Sequence, residues 1–177
     1  MKIEFILALL LLPIASAVSD TTPPTLVSFD FEPKIVNVSK SDQNIKFNVQ
    51  IKDDLTGILA AGNQARIFSP SEKKYKDVIF PDYYLVSGDI VNGTYVSNMT
   101  IPQYSESGEW HLSYFYLVDK LSNRQYLNET QMKNLGFPTV LEVKSFFMRR
   151  PLPAHSLKSG IQTHLTQENN TSLPMLR

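Results

Sequence analysis

Asp53, Asp54, Asp119 and Asn123 are the residues of this 177-residue chain whose types and spacing suit a chemical site. Calcium takes six to eight oxygen ligands from carboxylates, amide oxygens and backbone carbonyls. These four side chains, with Asp20, supply that kind of donor and no other. Asp53 and Asp54 follow an alternating stretch that ends at Lys52, Asp119 and Asn123 leave the stretch that begins at Trp110, and Asp20 precedes Pro23-Pro24. If those stretches are strands of a sandwich, their loops meet at its two ends. The four residues are therefore candidate ligands for calcium, the one cofactor the sequence suggests. The same residues also suit a plainer role, since Asp and Asn form turns by bonding their own backbone.

Catalytic chemistry finds little support. The chain has three histidines, His111, His155 and His164, and no cysteine. His155 and His164 lie in a polar C-terminal stretch with nothing to hold a base near a nucleophile. Gly-x-Ser-x-Gly, His-Glu-x-x-His and phosphate-cradling loops are all absent from the sequence. Asp53 and Asp54 are adjacent, and adjacent residues on a strand point to opposite faces. The expectation is a chain that is not an enzyme.

Aromatic residues raise a carbohydrate-binding possibility. Besides Tyr95, which falls in an alternating strand pattern, tyrosines stand at positions 75, 83, 84, 104, 114, 116 and 126. Sugar platforms need exposed, coplanar rings, whereas Trp110 shares its phase with Leu112 and should be core. Tyr83 and Tyr84, beside Pro81 in an expected loop, are the candidate contact surface.

The chain opens with Lys2, the apolar run Phe5-Ile-Leu-Ala-Leu-Leu-Leu-Leu12 and small residues at Ala15-Ser-Ala17. That is the form of a secretory signal peptide, expected at 1–19 with cleavage after Ala17 or Ser19. The apolar run is short of the roughly 20 residues that span a bilayer. No later segment is apolar enough to do so, so no membrane span is expected after cleavage. Six Asn-x-Ser/Thr sequons, at Asn37, Asn92, Asn98, Asn128, Asn169 and Asn170, are glycosylation candidates and point the same way. Extracellular or cell-surface localisation is the expectation. Residues 20–144 carry 12 Lys/Arg against 15 Asp/Glu, and residues 145–177 carry 4 against 1. Neither segment has the basic footprint of a nucleic-acid partner.

The elements that would position these groups read as strands. Ile45, Phe47, Val49 and Ile51 alternate with Lys46, Asn48, Gln50 and Lys52, a half-buried strand pattern. Val27, Phe29 and Phe31 alternate in the same way, as do Tyr95, Met99 and Ile101, which leaves Asn98 outward. From Trp110 to Asp119 the phase slips, and a bulge near Ser113-Tyr114 would return Phe115 and Leu117 to the core side. Phe47, Val49, Trp110 and Leu117 are expected to be buried together. One short helix is expected from Glu129 to Leu135, with Asn128 as its cap and Gly136 at its end. Phe137 to Val143 would be the closing strand. Short strands punctuated by turns at this spacing predict an all-β antiparallel sandwich at 20–144. Residues 145–177 lack periodicity and read as a disordered tail.

Several short motifs in a fixed order carry a resemblance. They are Thr22-Pro-Pro-Thr-Leu-Val-Ser-Phe29, Asp53-Asp-Leu-Thr-Gly57, Asn92-Gly-Thr-Tyr95, Ile101-Pro-Gln-Tyr-Ser-Glu-Ser-Gly-Glu-Trp110, Leu117-Val-Asp119 with Asn123, and Leu135-Gly-Phe-Pro-Thr139. Over about residues 21–144 the chain resembles an immunoglobulin-like domain of exported bacterial and archaeal surface proteins. The resemblance implies an immunoglobulin-like β-sandwich used as a spacer, an adhesive module or a companion of a catalytic domain. The chain departs from that pattern by carrying one copy and an unmatched tail, and fold alone does not fix function.

Three functional expectations follow. The first is a non-catalytic secreted or surface module for adhesion, structural spacing or protein contact. The second is a glycan-binding accessory domain, which an aromatic strip on one exposed face would favour. The third is a calcium-stabilised immunoglobulin-like module. The partner is accordingly an unknown protein or glycan.

Overall fold

The computed structural model describes residues 19–146. The signal peptide expected at 1–19 and the tail expected at 145–177 lie outside the described residues, apart from Ser19, Ser145 and Phe146. So do Asn169, Asn170, His155 and His164.

Among the described residues, ten strands and one α-helix build the fold. In chain order they are β1 (Thr25–Glu32), β2 (Ile35–Asn37), β3 (Gln43–Lys52), β4 (Gln64–Phe68), β5 (Tyr75–Ile79), β6 (Leu85–Gly88), β7 (Asn92–Ile101), β8 (Gly108–Val118), β9 (Arg124–Asn128), α1 (Glu129–Asn134) and β10 (Val140–Lys144). A four-stranded sheet has the order β1-β3-β7-β6. A six-stranded sheet has the order β2-β10-β8-β4-β5, with β9 also paired to β8. The two inner faces meet in one core, and the architecture is an all-β sandwich with a short helix before the last strand. Its strand order matches the two-sheet order of the immunoglobulin sandwich.

β8 is the hub of the larger sheet. One edge pairs with β4, while the other pairs with β10 over 108–111 and with β9 over 114–118. α1 fills the gap between those two short partners. Asn128 accepts from the Gln131 amide, the Gln131 side chain returns a bond to the Asn128 amide, and Gly136 closes the helix at φ +80°. This reciprocal cap satisfies amides that the first turn would otherwise leave bare.

β3 and β7 follow their sequence alternation in full. Ile45, Phe47, Val49 and Ile51 are buried, and so are Tyr95, Met99 and Ile101. Asn98 points out. In β8 the ladder to β4 shifts register between Arg66 and Ile67, which leaves Ser113 as the extra residue. Trp110, Leu112, Phe115 and Leu117 therefore all reach the core, as the bulge requires.

Three details differ from the sequence pattern. A register shift between Leu26 and Ser28 buries Leu26 and leaves Val27 exposed, so the β1 alternation starts at Phe29. The last strand begins at Val140, with the Thr139 carbonyl already accepting from the Leu112 amide, because Phe137 still donates to the helix carbonyl of Met132 and Pro138 has no amide proton for the ladder. The β2–β10 pair is parallel while every other ladder is antiparallel, because the chain passes from one sheet to the other at Pro33.

The core is rich in phenylalanine. Phe29 meets Phe115 edge-on at 5.5 Å between ring centroids, and Phe115 stacks on Phe80 at 5.4 Å. Edge-on and offset contacts of this kind suit the ring quadrupole. Because Phe29 lies on β1 in one sheet and Phe115 on β8 in the other, their contact ties the sheets together. Among the described residues no helix is long and apolar enough to cross a membrane.

Candidate functional site

One end of the sandwich gathers acidic side chains. Asp53 ends the β3 ladder and is buried at 2 % exposure. Its Oδ2 accepts from the amides of Leu55 (3.1 Å) and Gly57 (2.7 Å), which curls the chain tightly after the strand. Gly57 has φ +80°, and a Cβ there would stand 2.9 Å from Ile90. Both the angle and the space call for glycine. The opposite oxygen, Asp53 Oδ1, is buried with no hydrogen-bond partner.

Asp20 arrives at this loop from the lead-in segment. Its Oδ2 accepts from the Thr56 hydroxyl (2.6 Å) and amide (3.1 Å), and its Oδ1 from the Thr22 amide (3.0 Å). The Thr56 hydroxyl, followed by the Thr22 amide, holds the Asp20 carboxyl below the ordinary carboxylate value against the opposing effect of burial. Carboxylate oxygens of Asp20, Asp53 and Asp54 lie within 4.8 Å of one another.

Asp119 and Asn123 lie at the same end but close a turn of their own. Asp119 accepts from the Asn123 amide through Oδ1 (2.7 Å) and from the Asn123 side-chain amide through Oδ2 (2.6 Å). The Asn123 side chain also donates to the Asp20 carbonyl (3.1 Å). Of the four residues proposed from sequence, the structure thus puts Asp53 and Asp54 in one carboxylate cluster. It places Asp119 and Asn123 as a turn that steadies the backbone of Asp20. Asp20 is the third member of the cluster. The Thr-Thr-Pro-Pro run that follows it marked a lead-in to the first strand, and that was the available signal.

The outer faces of the two sheets differ in character. On the four-stranded sheet Asn44, Lys46, Asn48, Thr94, Asn98 and Thr100 make a polar surface. Asn92 and Asn98 are both exposed there, on β7. Asn37 on β2 and Asn128 at the α1 cap are exposed as well.

The outer face of the six-stranded sheet carries rings. Tyr114 and Tyr126 have centroids 5.1 Å apart at 30°. The Arg66 guanidinium lies 4.1 Å from the Tyr75 ring centroid and 5.5 Å from that of Tyr114. Asp77 holds it there through two bonds of 2.7 and 2.8 Å. Gln64 donates to the Tyr114 hydroxyl at 3.2 Å, and Phe68 packs on Tyr75 at 5.7 Å. The result is a strip from Tyr126 through Tyr114 and Arg66 to Tyr75 that crosses four strands. Reading one strand at a time does not reveal it, although Arg66 and Asp77 carry the right charges.

Beside the strip a cleft of about 480 Å³ is lined by Phe68, Ser69, His111, Asn128 and Glu129 among others. His111 meets Glu129 at 3.2 Å through Nδ1 and Glu109 at 3.7 Å through Nε2. Burial pushes the Glu129 carboxyl up, but Lys133 at 2.7 Å and His111 outweigh it and leave the carboxyl below its ordinary value.

Tyr83 and Tyr84 stand in a 3₁₀ turn at Asp82–Tyr84, between β5 and β6. Both are exposed, Tyr83 at 73 %, and their rings meet edge-on at 4.9 Å.

The sequence profile described as a domain of unknown function, DUF7035, matches residues 19–147 and so spans the whole sandwich. No curated protein matches the chain. The chain belongs to the DUF7035 family.

Proposed function

We propose that this chain is a non-catalytic, exported immunoglobulin-like contact module that binds carbohydrate on the outer face of its six-stranded sheet. The observation that carries the reading is the strip Tyr126–Tyr114–Arg66–Tyr75, bordered by the cleft at His111 and Glu129. A sugar ring offers C–H faces to aromatic rings and hydroxyls to planar polar groups. The strip supplies both on one sheet face, and its polar members Arg66, Asp77 and Gln64 are already held in place. Preorganised groups of this kind lose little freedom on binding. The leader-like N-terminus and the exposed Asn37, Asn92, Asn98 and Asn128 support export. Both ring nitrogens of His111 face carboxylates, an arrangement that supports positioning rather than proton transfer to a nucleophile.

A glycan array probed with the secreted chain tests the reading. Binding is expected, with a loss of about ten-fold or more in affinity for Tyr126→Ala and for Tyr75→Ala, on the scale of a lost aromatic anchor. Tyr83→Ala, in the 3₁₀ turn, should leave binding intact. An array with no retained glycan would overturn it. A second reading, adhesion to a protein through the same face, is favoured by one feature. Tyr and Arg are the residues enriched among the energetic centres of protein interfaces, and Arg66 sits between two tyrosines.

A further inference from the structure

The acidic end of the sandwich holds three carboxylates where hydrogen bonding accounts for only part of their demand. Asp20 and Asp53 are 5 % and 2 % exposed. With Asp54 they bring three carboxylate oxygens within 4.8 Å of one another. Two of these charges are held away from water and the third, Asp54, stands beside them at the solvent edge, so a cation among them would offset their mutual repulsion. Asp53 supplies a second and separate sign. Its Oδ2 is taken up by the amides of Leu55 and Gly57, while its Oδ1 is buried and unpartnered. An orphaned buried carboxylate oxygen is costly, and its cost is removed by a partner that the protein itself does not provide.

We propose that Asp20, Asp53 and Asp54 form a divalent-cation site whose ion is calcium. Two oxygens bound to one calcium at about 2.4 Å stand at most about 4.8 Å apart, and the three oxygens here lie within that limit. The donor set is oxygen alone, which suits a hard cation and not zinc or copper. Asp20 Oδ2 is filled by the Thr56 amide and hydroxyl, while its Oδ1 accepts only from the Thr22 amide and retains a lone pair for an ion. Asp54 is exposed and leaves room for the waters that complete a calcium shell.

The ion would tie together parts of the chain far apart in sequence. Asp20 precedes Pro23-Pro24 and β1, whereas Asp53 and Asp54 begin the loop after β3. Calcium there fixes the lead-in segment to the β3–β4 loop. Asp119 stands outside the group of three carboxylates, and each of its oxygens accepts from Asn123. Asn123 instead holds the Asp20 carbonyl and orients the segment that brings Asp20 in.

The test uses the full secreted chain, stripped with chelator and titrated with calcium chloride in a calorimeter, with melting curves recorded in parallel. A dissociation constant of about 10⁻⁴ to 10⁻³ M is expected, the range of extracellular calcium modules. The melting temperature should rise by a few degrees in about 10 mM calcium, and not in sodium chloride of equal ionic strength. Asp53→Asn also disturbs the turn at Gly57, so Asp54→Asn is the cleaner variant. It should weaken calcium binding at least about ten-fold while the calcium-free melting temperature stays within a degree or two. Asp119→Asn should retain the calcium affinity. No heat of binding together with identical melting curves in calcium and chelator would overturn the proposal. So would calcium binding that survives Asp54→Asn and Asp20→Asn but is lost in Asp119→Asn. Because the site lies at an end of the sandwich and not on its aromatic face, either result leaves the carbohydrate reading untouched.

Discussion

Leu112 and Phe115, three residues apart on β8, both lie in the core, with Ser113 standing unpaired opposite β4 between them. Strict alternation from Leu112 would have sent Tyr114 and Tyr116 inward and Phe115 and Leu117 outward. The bulge reverses that outcome for the second half of the strand. It puts Phe115 against Phe29 and Phe80, and it delivers Tyr114 to the outer strip.

A pair of truncations reads out this phase. Phe115→Ala should cost about 3–5 kcal/mol, as for a fully buried phenylalanine. Tyr114→Ala should cost about 1 kcal/mol, the scale of cross-strand contacts on an open face. Chemical denaturation of both variants decides it. Equal costs, or the reverse order, would place the wrong residue in the core.

Tyr95 is fully buried and its hydroxyl has no hydrogen-bond partner. Tyr95→Phe removes a desolvated polar group without opening a cavity. Stability should be unchanged or should rise by up to about 1–2 kcal/mol. Burial, with Asp82 and Asp89 adding to it, pushes this hydroxyl up to about 12. In the unfolded chain it ionises near about 10. The stability tied to protonated Tyr95 is therefore complete below about pH 10 and is lost as pH rises toward 12. Tyr95→Phe should flatten that alkaline loss in denaturant melts recorded from pH 9 to 12. An alkaline slope identical to that of the parent would contradict the assignment.

The cap of α1 gives a graded test. Asn128→Ala removes the acceptor for the Gln131 amide and should cost about 1 kcal/mol. Asn128→Asp keeps an acceptor and should cost only a few tenths of that. Both substitutions destroy the sequon, so intact mass measured alongside the melts separates loss of a glycan from loss of the cap.

Glu129 supplies an acid-side signature. Its folded value lies below the ordinary one through Lys133 and His111. The associated stability is present above the ordinary carboxylate value and is lost as pH falls through the folded value. Solvent screening at this half-exposed position keeps the contribution at or below about 1 kcal/mol. Glu129→Gln should make the fall in melting temperature between pH 5 and 3 shallower. A steeper fall would mean that the pair opposes folding.

Much of the frame was readable residue by residue. The alternation in Ile45–Ile51 and Tyr95–Ile101 specified half-buried strands, because side chains on a strand point to the two faces with a period of two. Asn128 and Gly136 bounded the helix through purely local hydrogen bonding and backbone geometry. Even the Ser113 bulge left a trace, as a break in parity between Leu112 and Phe115. Each of these features rests on interactions within a few residues, which a sequence displays directly.

What tertiary structure alone decided are the meetings of distant residues. Asp20 reaches Asp53 and Asp54 because Pro23 and Pro24 lead into β1, which pairs with β3 and brings the lead-in beside the loop where β3 ends. Tyr75, Arg66, Tyr114 and Tyr126 form one strip because β5, β4, β8 and β9 lie side by side in a register that no single strand encodes. Leu26 displaced Val27 from the core for a similar reason, since the β1–β3 ladder slips at that point. Periodicity says which face a side chain takes on its own strand. Which strands become neighbours, and in what register, depends on the packing of the whole sandwich and hence on contacts between residues far apart in the chain.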